Sequence, residues 1–282
     1  MHRRYADQLL ELALEYTLDE YGDVEIRQQP VETVVGRQLK QITISDGLSV
    51  AVAMPTQDWL EKAILVPVPL LRGLPSFRMF LGRNSERENL SRIMSSDELR
   101  TLLIGQGRGW STANILEENQ FQVVYATRYE QLIPILNANR FDILMRGSYE
   151  IGAEWNAFRD EEPLFYIVEN FAVFTYLPMY FFVNENNPEL AKRIYEGLDK
   201  AFDEGAMQAL FDEYFKNYIP CISQTNKLFC LTNSNITPAL FENDRKYLLP
   251  SVIETYDTAM LSPSGTQVLV GQGADESCFW SE

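Results

Sequence analysis

The most regular alternation of apolar and polar positions lies between residues 102 and 150. Short apolar runs with the length and composition of buried strands alternate there with segments whose apolar residues recur at helical spacing. Strands that alternate with helices predict a parallel sheet with right-handed crossovers. The expected strands are 102–104, 121–125 and 141–145, and the expected helices begin at Ser111 and Tyr129.

Two loops of this region follow predicted strands, at 105–110 and 146–150. In open α/β sheets, ligands bind beyond the carboxyl ends of the strands, beside helix N-termini. The pattern therefore predicts a binding edge formed by these two loops. Gly107 and Gly109 are suited to bring backbone amides close to an anion, with Ser111 at the helix start, although a tight turn accounts for the same glycines.

The rest of the chain alternates in a similar way as far as residue 219 and loses its periodicity from Pro220 onwards. Ser95 and Glu98 have the spacing of a capping box, which predicts a helix start. Gly205 interrupts one long helical pattern. Further helices are expected at 4–16, 31–41, 59–63, 188–215 and near 245–256, and further strands at 24–28, 48–54, 64–70, 77–81, 164–168 and 174–183.

These elements form two α/β regions joined by two crossings, near residues 82 and 178, and so predict a two-lobed protein. Lobe one is expected to contain 1–81 and 179–219, and lobe two 82–178. Residues 220–282 are expected to form an extension that packs on lobe one or is partly irregular. Clefts between such lobes close on a ligand by hinge motion.

Composition and charge remove several classes of function. The chain has 282 residues, 46% of them hydrophobic, and a net charge of −16, so it is globular and lacks the basic face of a nucleic-acid binder. It contains no apolar run of the length that crosses a membrane. Glu11 and Glu15 interrupt the apolar stretch near the N-terminus, which predicts an amphipathic helix rather than a signal peptide.

The sequence has few of the residues and motifs that catalysis and metal binding need. The one histidine is His2, and no nucleophile, zinc-protease or phosphate-loop motif occurs, so we expect neither catalytic residues nor a cofactor. The three cysteines lack metal-ligand spacing. Cys221 and Cys230 can close a short disulfide or remain buried thiols, and Cys278 would be left over.

Several short motifs together, and no single one of them, resemble those of a known family. They are Arg4–Tyr5, 67–70 with 72–74, 77–78, 105–110, 140–142 with 146–150, 180–183 and 188–191. Their order and spacing resemble the type II periplasmic solute-binding fold, in its family-3, amino-acid-binding-like branch. The resemblance covers residues 4 to 218. It implies an α/β fold with two lobes, each a mixed, mostly parallel sheet flanked by helices, and a hinge of two crossings.

The resemblance also implies a function and a location. Such a protein is a periplasmic monomer that binds a small-molecule ligand and meets a membrane permease or a receptor, with no nucleic acid. Members usually begin with a strand before the first helix, whereas here the helix starts almost at Met1, which would leave lobe one with an unpaired sheet edge.

The ligand-binding positions depart from the family pattern. Amino-acid binders hold the ligand carboxylate with an arginine after the third strand of lobe one, but the matching stretch 56–61 has none. They hold the amine with an acidic residue where this chain has Arg146. A guanidinium forks onto carboxylate or phosphate, so Arg146 favours an anionic group on the ligand. Its alternative role is an ion pair with Glu150 or Glu154.

Other candidates flank these loops. Trp110 is expected to stack on the ligand or to anchor its loop, and Arg78 to face the cleft or a carboxylate of lobe one. Thr56 and Trp59 are expected at the opposite wall, with the surface or the core as the alternative. Glu150 and Glu154 share a helix face, which is more typical of a solvated face than of acid–base chemistry.

Three functions are compatible with the sequence. The first is a non-enzymatic extracytoplasmic binding protein that closes on a small anionic or aromatic ligand for transport or sensing. The second is a lyase or dehydratase, since some dehydratases share this fold and use a glutamate acid, for which Glu150 is the candidate. The third is a degenerate interaction module without a live ligand site.

Overall fold

The computed structural model describes residues 2–28, 35–44, 47–158, 164–219, 227–261 and 268–269. The chain divides into two compact units, each assembled from separate segments. Unit 1 consists of Met1–Gly73, Pro178–Lys216 and Asn235–Leu249, and unit 2 consists of Leu74–Leu177, Asn217–Ser234 and Pro250–Glu282.

Helices and strands occur in both units. The strands are β1 (Val50–Ala53), β2 (Ala63–Leu65), β3 (Phe77–Arg83), β4 (Leu103–Gly107), β5 (Gln122–Ala126), β6 (Ile143–Gly147), β7 (Phe165–Phe174), β8 (Tyr180–Asn184), β9 (Leu228–Cys230) and β10 (Val268–Leu269). The helices are α1 (His2–Glu15), α2 (Leu18–Tyr21), α3 (Val35–Ile42), α4 (Gln57–Lys62), α5 (Arg87–Ser91), α6 (Ser96–Arg100), α7 (Ser111–Glu118), α8 (Leu132–Asn137), α9 (Ser148–Phe158), α10 (Pro188–Asp203), α11 (Ala206–Phe215), α12 (Pro238–Asp244) and α13 (Pro250–Met260).

The sheet of unit 1 has three strands in the described part of the chain. The return strand β8 lies between β1 and β2 and runs antiparallel to both. All five residues of β8 are buried, because a central strand of a small sheet is covered on both faces. Trp59 packs on Phe182 of this strand, with 5.0 Å between ring centroids, and closes one side of the core.

Helices α1, α10 and α11 form a second packed layer of unit 1. Tyr5 of α1 is buried against the rings of Phe211 and Phe215, and its hydroxyl donates to the carbonyl oxygen of Leu70 at 2.7 Å. Gly197 lets α10 approach the backbone of α1 at Ala13, where a Cβ atom would overlap the carbonyl group. Close contact of the two helices therefore depends on a residue without a side chain.

Unit 2 is organised around a seven-stranded sheet of order β10-β9-β7-β3-β6-β4-β5. Strands β4, β5 and β6 pair in parallel, as the alternation between 102 and 145 predicts, and β9 pairs in parallel with β7. Strand β3 is antiparallel to both β6 and β7. The mixed α/β class is confirmed, with parallel pairs concentrated in unit 2, whereas unit 1 uses antiparallel pairs because β8 returns against β1 and β2.

Strand β3 occupies the middle of this sheet, and each of its seven residues is buried. On the parallel side, Gly105 leaves room for the ring of Phe141, which lies where a Cβ atom of residue 105 would stand. The predicted capping box is confirmed at α6, where the Ser95 hydroxyl accepts from the Glu98 amide and the Glu98 carboxylate accepts from the Ser95 amide.

Three sequence predictions fail in the described residues. The strand expected at 24–28 is wrong, because the stretch is irregular and Val24 is 44% exposed, so its alternation has no buried face. The strand expected at 64–70 ends at Leu65, since Pro67 and Pro69 cannot donate to a ladder. The strand expected at 174–183 is the end of β7 and the start of β8, with Pro178 between them.

The segment after Pro220 contains more structure than its pattern predicts. It contains β9, α12 and α13, and β9 adds to unit 2 by pairing Phe229 with Val173. Strand β9 has three residues, which are too few for an alternation of apolar and polar positions to be recognised in the sequence. Cys230 at the end of β9 is a free, buried cysteine, which is the alternative to the bridge with Cys221, whereas Cys221 and Cys278 lie outside the described residues.

Candidate functional site

The carboxyl ends of β4 and β6 lie side by side in unit 2. The two strands run parallel, with Ile104 opposite Ile143 and Gly105 opposite Leu144. Three residues separate the end of β4 from α7, and α9 begins at the residue that follows β6. Both helix N-termini therefore meet the same edge of the sheet, which confirms the predicted placement of the two loops.

Arg146 near the end of β6 is buried and tied to two carboxylates. Its Nε donates to Glu154 Oε1 at 2.9 Å and Oε2 at 2.8 Å, and its Nη2 lies 2.5 Å from Glu154 Oε1. Nη2 also lies 3.4 Å from Glu150 Oε2. The structure thus realises the ion pair that the sequence left open. The expectation of a solvated face for Glu150 and Glu154 is wrong, because their side chains are only 17% and 14% exposed.

Two aromatic rings face the guanidinium group of Arg146. The Cζ atom of Arg146 lies 4.6 Å from the ring centroid of Trp110 and 5.5 Å from that of Tyr129. Distances of this order are those of cation–π contacts. Tyr129 follows β5, the third parallel strand, and this position at the same edge is the signal by which the sequence could have identified it.

Arg78 of β3 approaches the cluster from the neighbouring strand. It stands opposite Gly147 in the ladder, its Nη2 lies 3.9 Å from Glu150 Oε2, and its Nη1 is 3.5 Å from the carbonyl oxygen of Pro75. Its Nε has no hydrogen-bond partner among the described residues. Gly147 allows this close approach, since a Cβ atom would stand 2.9 Å from Glu150 Oε2 and 3.0 Å from Arg78 Nη1 and would displace these side-chain ends.

The two glycines of the first loop have different roles. The Trp110 ring lies against Gly107, where a Cβ atom would overlap it, so Gly107 leaves room for the ring. Gly109 has a positive φ of 84°, which favours glycine and turns the chain into α7. Trp110 is thus the anchor of its loop and also a partner of Arg146, and Ser111 is the first residue of α7.

A buried polar bridge joins β4 to β6 beneath this loop, and the sequence did not reveal it. Gln106 Nε2 donates to the carbonyl oxygens of Gly105 at 2.8 Å and Met145 at 3.2 Å. The hydroxyl of Thr112 donates to Gln106 Oε1 at 2.6 Å. Both side chains are buried, so these bonds fix the spacing of the two strand ends and the start of α7.

The candidates of unit 1 lie in a different environment. Trp59 is 2% exposed and belongs to the core against Phe182, which is the alternative that the sequence left open. Thr56 stands at the start of α4 without a side-chain capping bond. These two residues and the cluster of unit 2 belong to separate compact units.

The charges of the cluster shift the pKa values of its arginines in opposite directions. Burial lowers the pKa of Arg146, but the charges of Glu150 and Glu154 and the hydrogen bond to Glu154 outweigh burial, so its pKa is raised. Burial also dominates for Arg78, where Glu150 compensates only in part, and its pKa is lowered. Arg146 is the better compensated of the two cations.

Buried tyrosines predict a loss of stability at alkaline pH. Burial raises the pKa of Tyr166 to about 12, and burial followed by the charge of Glu150 raises that of Tyr149. A phenol whose pKa is higher in the folded state contributes stability that is present below pH about 10 and is lost as pH rises towards the folded pKa.

The midpoint of thermal unfolding should therefore stay level up to pH about 9 and fall between about 10 and 12. Thermal scans paired with tyrosinate absorbance at each pH measure this. A midpoint that stays level between pH about 10 and 12 would contradict the assignment.

The described residues also bear on metal binding and on membrane-spanning helices. No group of three or more histidine, cysteine, aspartate or glutamate side chains is placed to hold a metal ion there. None of the helices in that part of the chain has the length and apolarity to cross a membrane.

Comparisons with known proteins identify the fold. No protein-family model matches the chain, and no curated protein matches it. Among solved structures, an ancestral arginine-binding protein bound to arginine has a TM-score of 0.54 at 15% identity, covering 74% of this chain and 87% of that one. The substrate-binding protein of an amino acid ABC transporter has a TM-score of 0.51 at 15% identity over 74% and 87%.

A third solved structure is an ancestral amino acid-binding protein described as a precursor of cyclohexadienyl dehydratase. It has a TM-score of 0.52 at 14% identity, covering 73% of this chain and 85% of that one. Likeness at such low identity establishes the fold and no more. The chain has the type II periplasmic-binding-protein fold, as do amino-acid ABC transporter substrate-binding proteins.

Proposed function

We propose that the chain is a non-enzymatic, extracytoplasmic solute-binding protein for a small ligand that carries a carboxylate. The ligand binds at the edge of unit 2 formed by the ends of β4 and β6 and is delivered to a permease or reported to a receptor. The fold supports this proposal, because similar structures include a substrate-binding protein of an amino acid ABC transporter. Fold likeness alone leaves the ligand open, so the site must specify it.

One observation carries the proposal. Glu154 accepts hydrogen bonds from Nε and Nη2 of Arg146, and no hydrogen bond from Nη1 is present among the described residues. Nη1 is therefore a donor without a hydrogen-bond acceptor among the described residues, while Glu154, Trp110 and Tyr129 contact the rest of the guanidinium group. A carboxylate of the ligand is the acceptor that suits such a donor.

The balance of charge indicates the class of ligand. Two arginines, Arg78 and Arg146, face two glutamates, Glu150 and Glu154, so the cluster has no net charge and gives a simple anion no long-range attraction. A zwitterion offers a group to each sign of charge. One similar structure was solved with arginine bound and another with glutamine. Amino acids are therefore the first class to test, followed by dicarboxylates and aromatic acids.

The test is a thermal-shift screen of these compounds followed by calorimetry on a hit. Arg146→Lys should weaken binding by about 10-fold or more, because the ammonium group keeps the charge but loses the planar fork. Arg140→Lys on the exposed surface of unit 2 is the matched control and should bind as the parent does.

If Arg146→Lys and the parent protein bind the hit with equal affinity, Arg146 does not contact the ligand. A screen without any hit would instead favour the third function, a degenerate interaction module without a functional ligand site. A ligand that binds only the folded state must raise the unfolding midpoint, so the screen is decisive at concentrations well above Kd.

The lyase alternative rests on Glu150 and on the likeness to the ancestral precursor of a dehydratase. Glu150 accepts from the Gly147 amide at 3.0 Å and faces both arginines. A general acid must hold a proton that it can deliver, and these donors instead stabilise a carboxylate. Turnover of a hit by the parent protein, lost in Glu150→Gln while binding is kept, would establish the enzyme.

A further inference from the structure

We propose that Trp110, Tyr129 and Glu154 form a binding seat for a planar cation, and that the side chain of Arg146 fills this seat in the native chain. We call these three residues the guanidinium seat. The ligand class of the seat is guanidinium and amidinium compounds. This inference goes beyond the proposed function and does not require that the protein binds any solute.

The seat has two aromatic walls. The guanidinium carbon lies 4.6 Å from the Trp110 centroid and 5.5 Å from the Tyr129 centroid. A salt bridge alone requires a carboxylate and no ring. Aromatic faces add attraction for a delocalised, weakly hydrated cation, and less for a compact ammonium group, whose strong hydration must be removed.

Glu154 supplies the seat with a bidentate carboxylate. Both oxygens of Glu154 accept from Arg146 Nε, at 2.9 Å and 2.8 Å, and Oε1 also contacts Nη2 at 2.5 Å. The side chains of Arg146 and Glu154 are only 9% and 14% exposed. A carboxylate this far removed from water requires a cation, and the fork of a guanidinium group matches its two oxygens.

The shape of the seat does not depend on Arg146. Trp110 precedes α7 and rests on Gly107, Tyr129 belongs to a short turn after β5, and Glu154 lies on α9. Three separate elements of unit 2 therefore supply the walls. If alanine replaces Arg146 on β6, the walls stay in place around an uncompensated carboxylate. An external guanidinium compound then has both the space and the charge that it needs.

The native side chain consequently sets specificity at this position. A covalently attached guanidinium group has a high effective concentration and excludes a dissolved one. The parent chain should therefore be insensitive to guanidinium compounds at the seat, whereas the variant Arg146→Ala should bind them. This distinction separates the inference from the proposed function, which is tested with carboxylates on the parent chain.

The experiment is chemical rescue of the full-length variant. About 10 mM ethylguanidinium should raise the unfolding midpoint of Arg146→Ala by about 3 °C, if Kd is about 1 mM. Ethylammonium at the same concentration is the control for charge and ionic strength and should have little effect. The parent protein and the double variant Arg146→Ala/Glu154→Gln should show no rise with either compound.

An equal response of Arg146→Ala to ethylguanidinium and ethylammonium would overturn the proposal, as would an equal response of parent and variant. If Arg146→Ala does not fold, NMR of the parent protein decides. The Arg146 δ-protons should be shifted upfield by the two rings, and its Nε–H should exchange slowly, with Arg146→Lys used to assign both signals. Signals at ordinary positions with fast exchange would overturn the proposal.

Discussion

Gly197→Ala should lower the free energy of unfolding by about 2 kcal/mol, although the same change usually stabilises a helix. In an isolated helix, alanine is better than glycine by about 1 kcal/mol. In this protein the new Cβ atom would overlap the carbonyl group of Ala13, which is backbone and cannot rotate away. Helices α1 and α10 must therefore separate, which loosens the packing around both. The sign of the effect is decided by that clash, because overpacking costs about 1–3 kcal/mol or more.

Urea denaturation of the parent and the variant measures this difference. Lys192→Ala is a matched control, since residue 192 lies on the same helix with an exposed side chain. We expect the control to change stability by no more than about 0.5 kcal/mol. A Gly197→Ala protein as stable as the parent would show that α10 does not approach the α1 backbone in this way.

The second large effect concerns the buried ion pair. Arg146→Ala should reduce the free energy of unfolding by about 3 kcal/mol or more, because it leaves the Glu154 carboxylate without its cation. The side chain of Glu154 is 14% exposed, so water compensates little of the lost interaction. Chemical denaturation without added guanidinium compounds gives the value.

The reason for this loss is tested by removing both charges together. Arg146→Met/Glu154→Leu should be much closer to the parent than Arg146→Ala is, since a buried pair is often replaced by apolar side chains at little cost. If Arg146→Ala costs less than about 1 kcal/mol, the pair behaves as a surface salt bridge, and the cluster is more hydrated than its exposure indicates.

The sequence is most informative where the period of the pattern changes within a few residues. Between 102 and 150 the change from strand to helix spacing predicted three parallel strands, and β4, β5 and β6 pair in that way. The capping box at Ser95 was also predictable, because it depends on two residues three positions apart. Local chemistry determines such features, so a single sequence reveals them.

Features that depend on distant partners were not predictable. The spacing of Glu150 and Glu154 shows only that they share a helix face, and whether that face meets water or Arg146 depends on how α9 packs. Trp59 lies in the core of unit 1 because β8 returns beside β1, more than a hundred positions further along the chain. Strand β9 was missed because three residues have no measurable period.

The position of β8 determines the order in which the two units can be completed during synthesis. Strands β1 and β2 of unit 1 both pair with β8 and not with each other. They are translated early, yet the strand that joins them follows only after β3, β4, β5, β6 and β7 of unit 2. On the ribosome, five adjacent strands of unit 2, in the sheet order β7-β3-β6-β4-β5, are therefore translated before β8. The sheet of unit 1 therefore closes only after five strands of unit 2 have been translated, and the seven-stranded sheet is completed later still, when β9 and β10 follow.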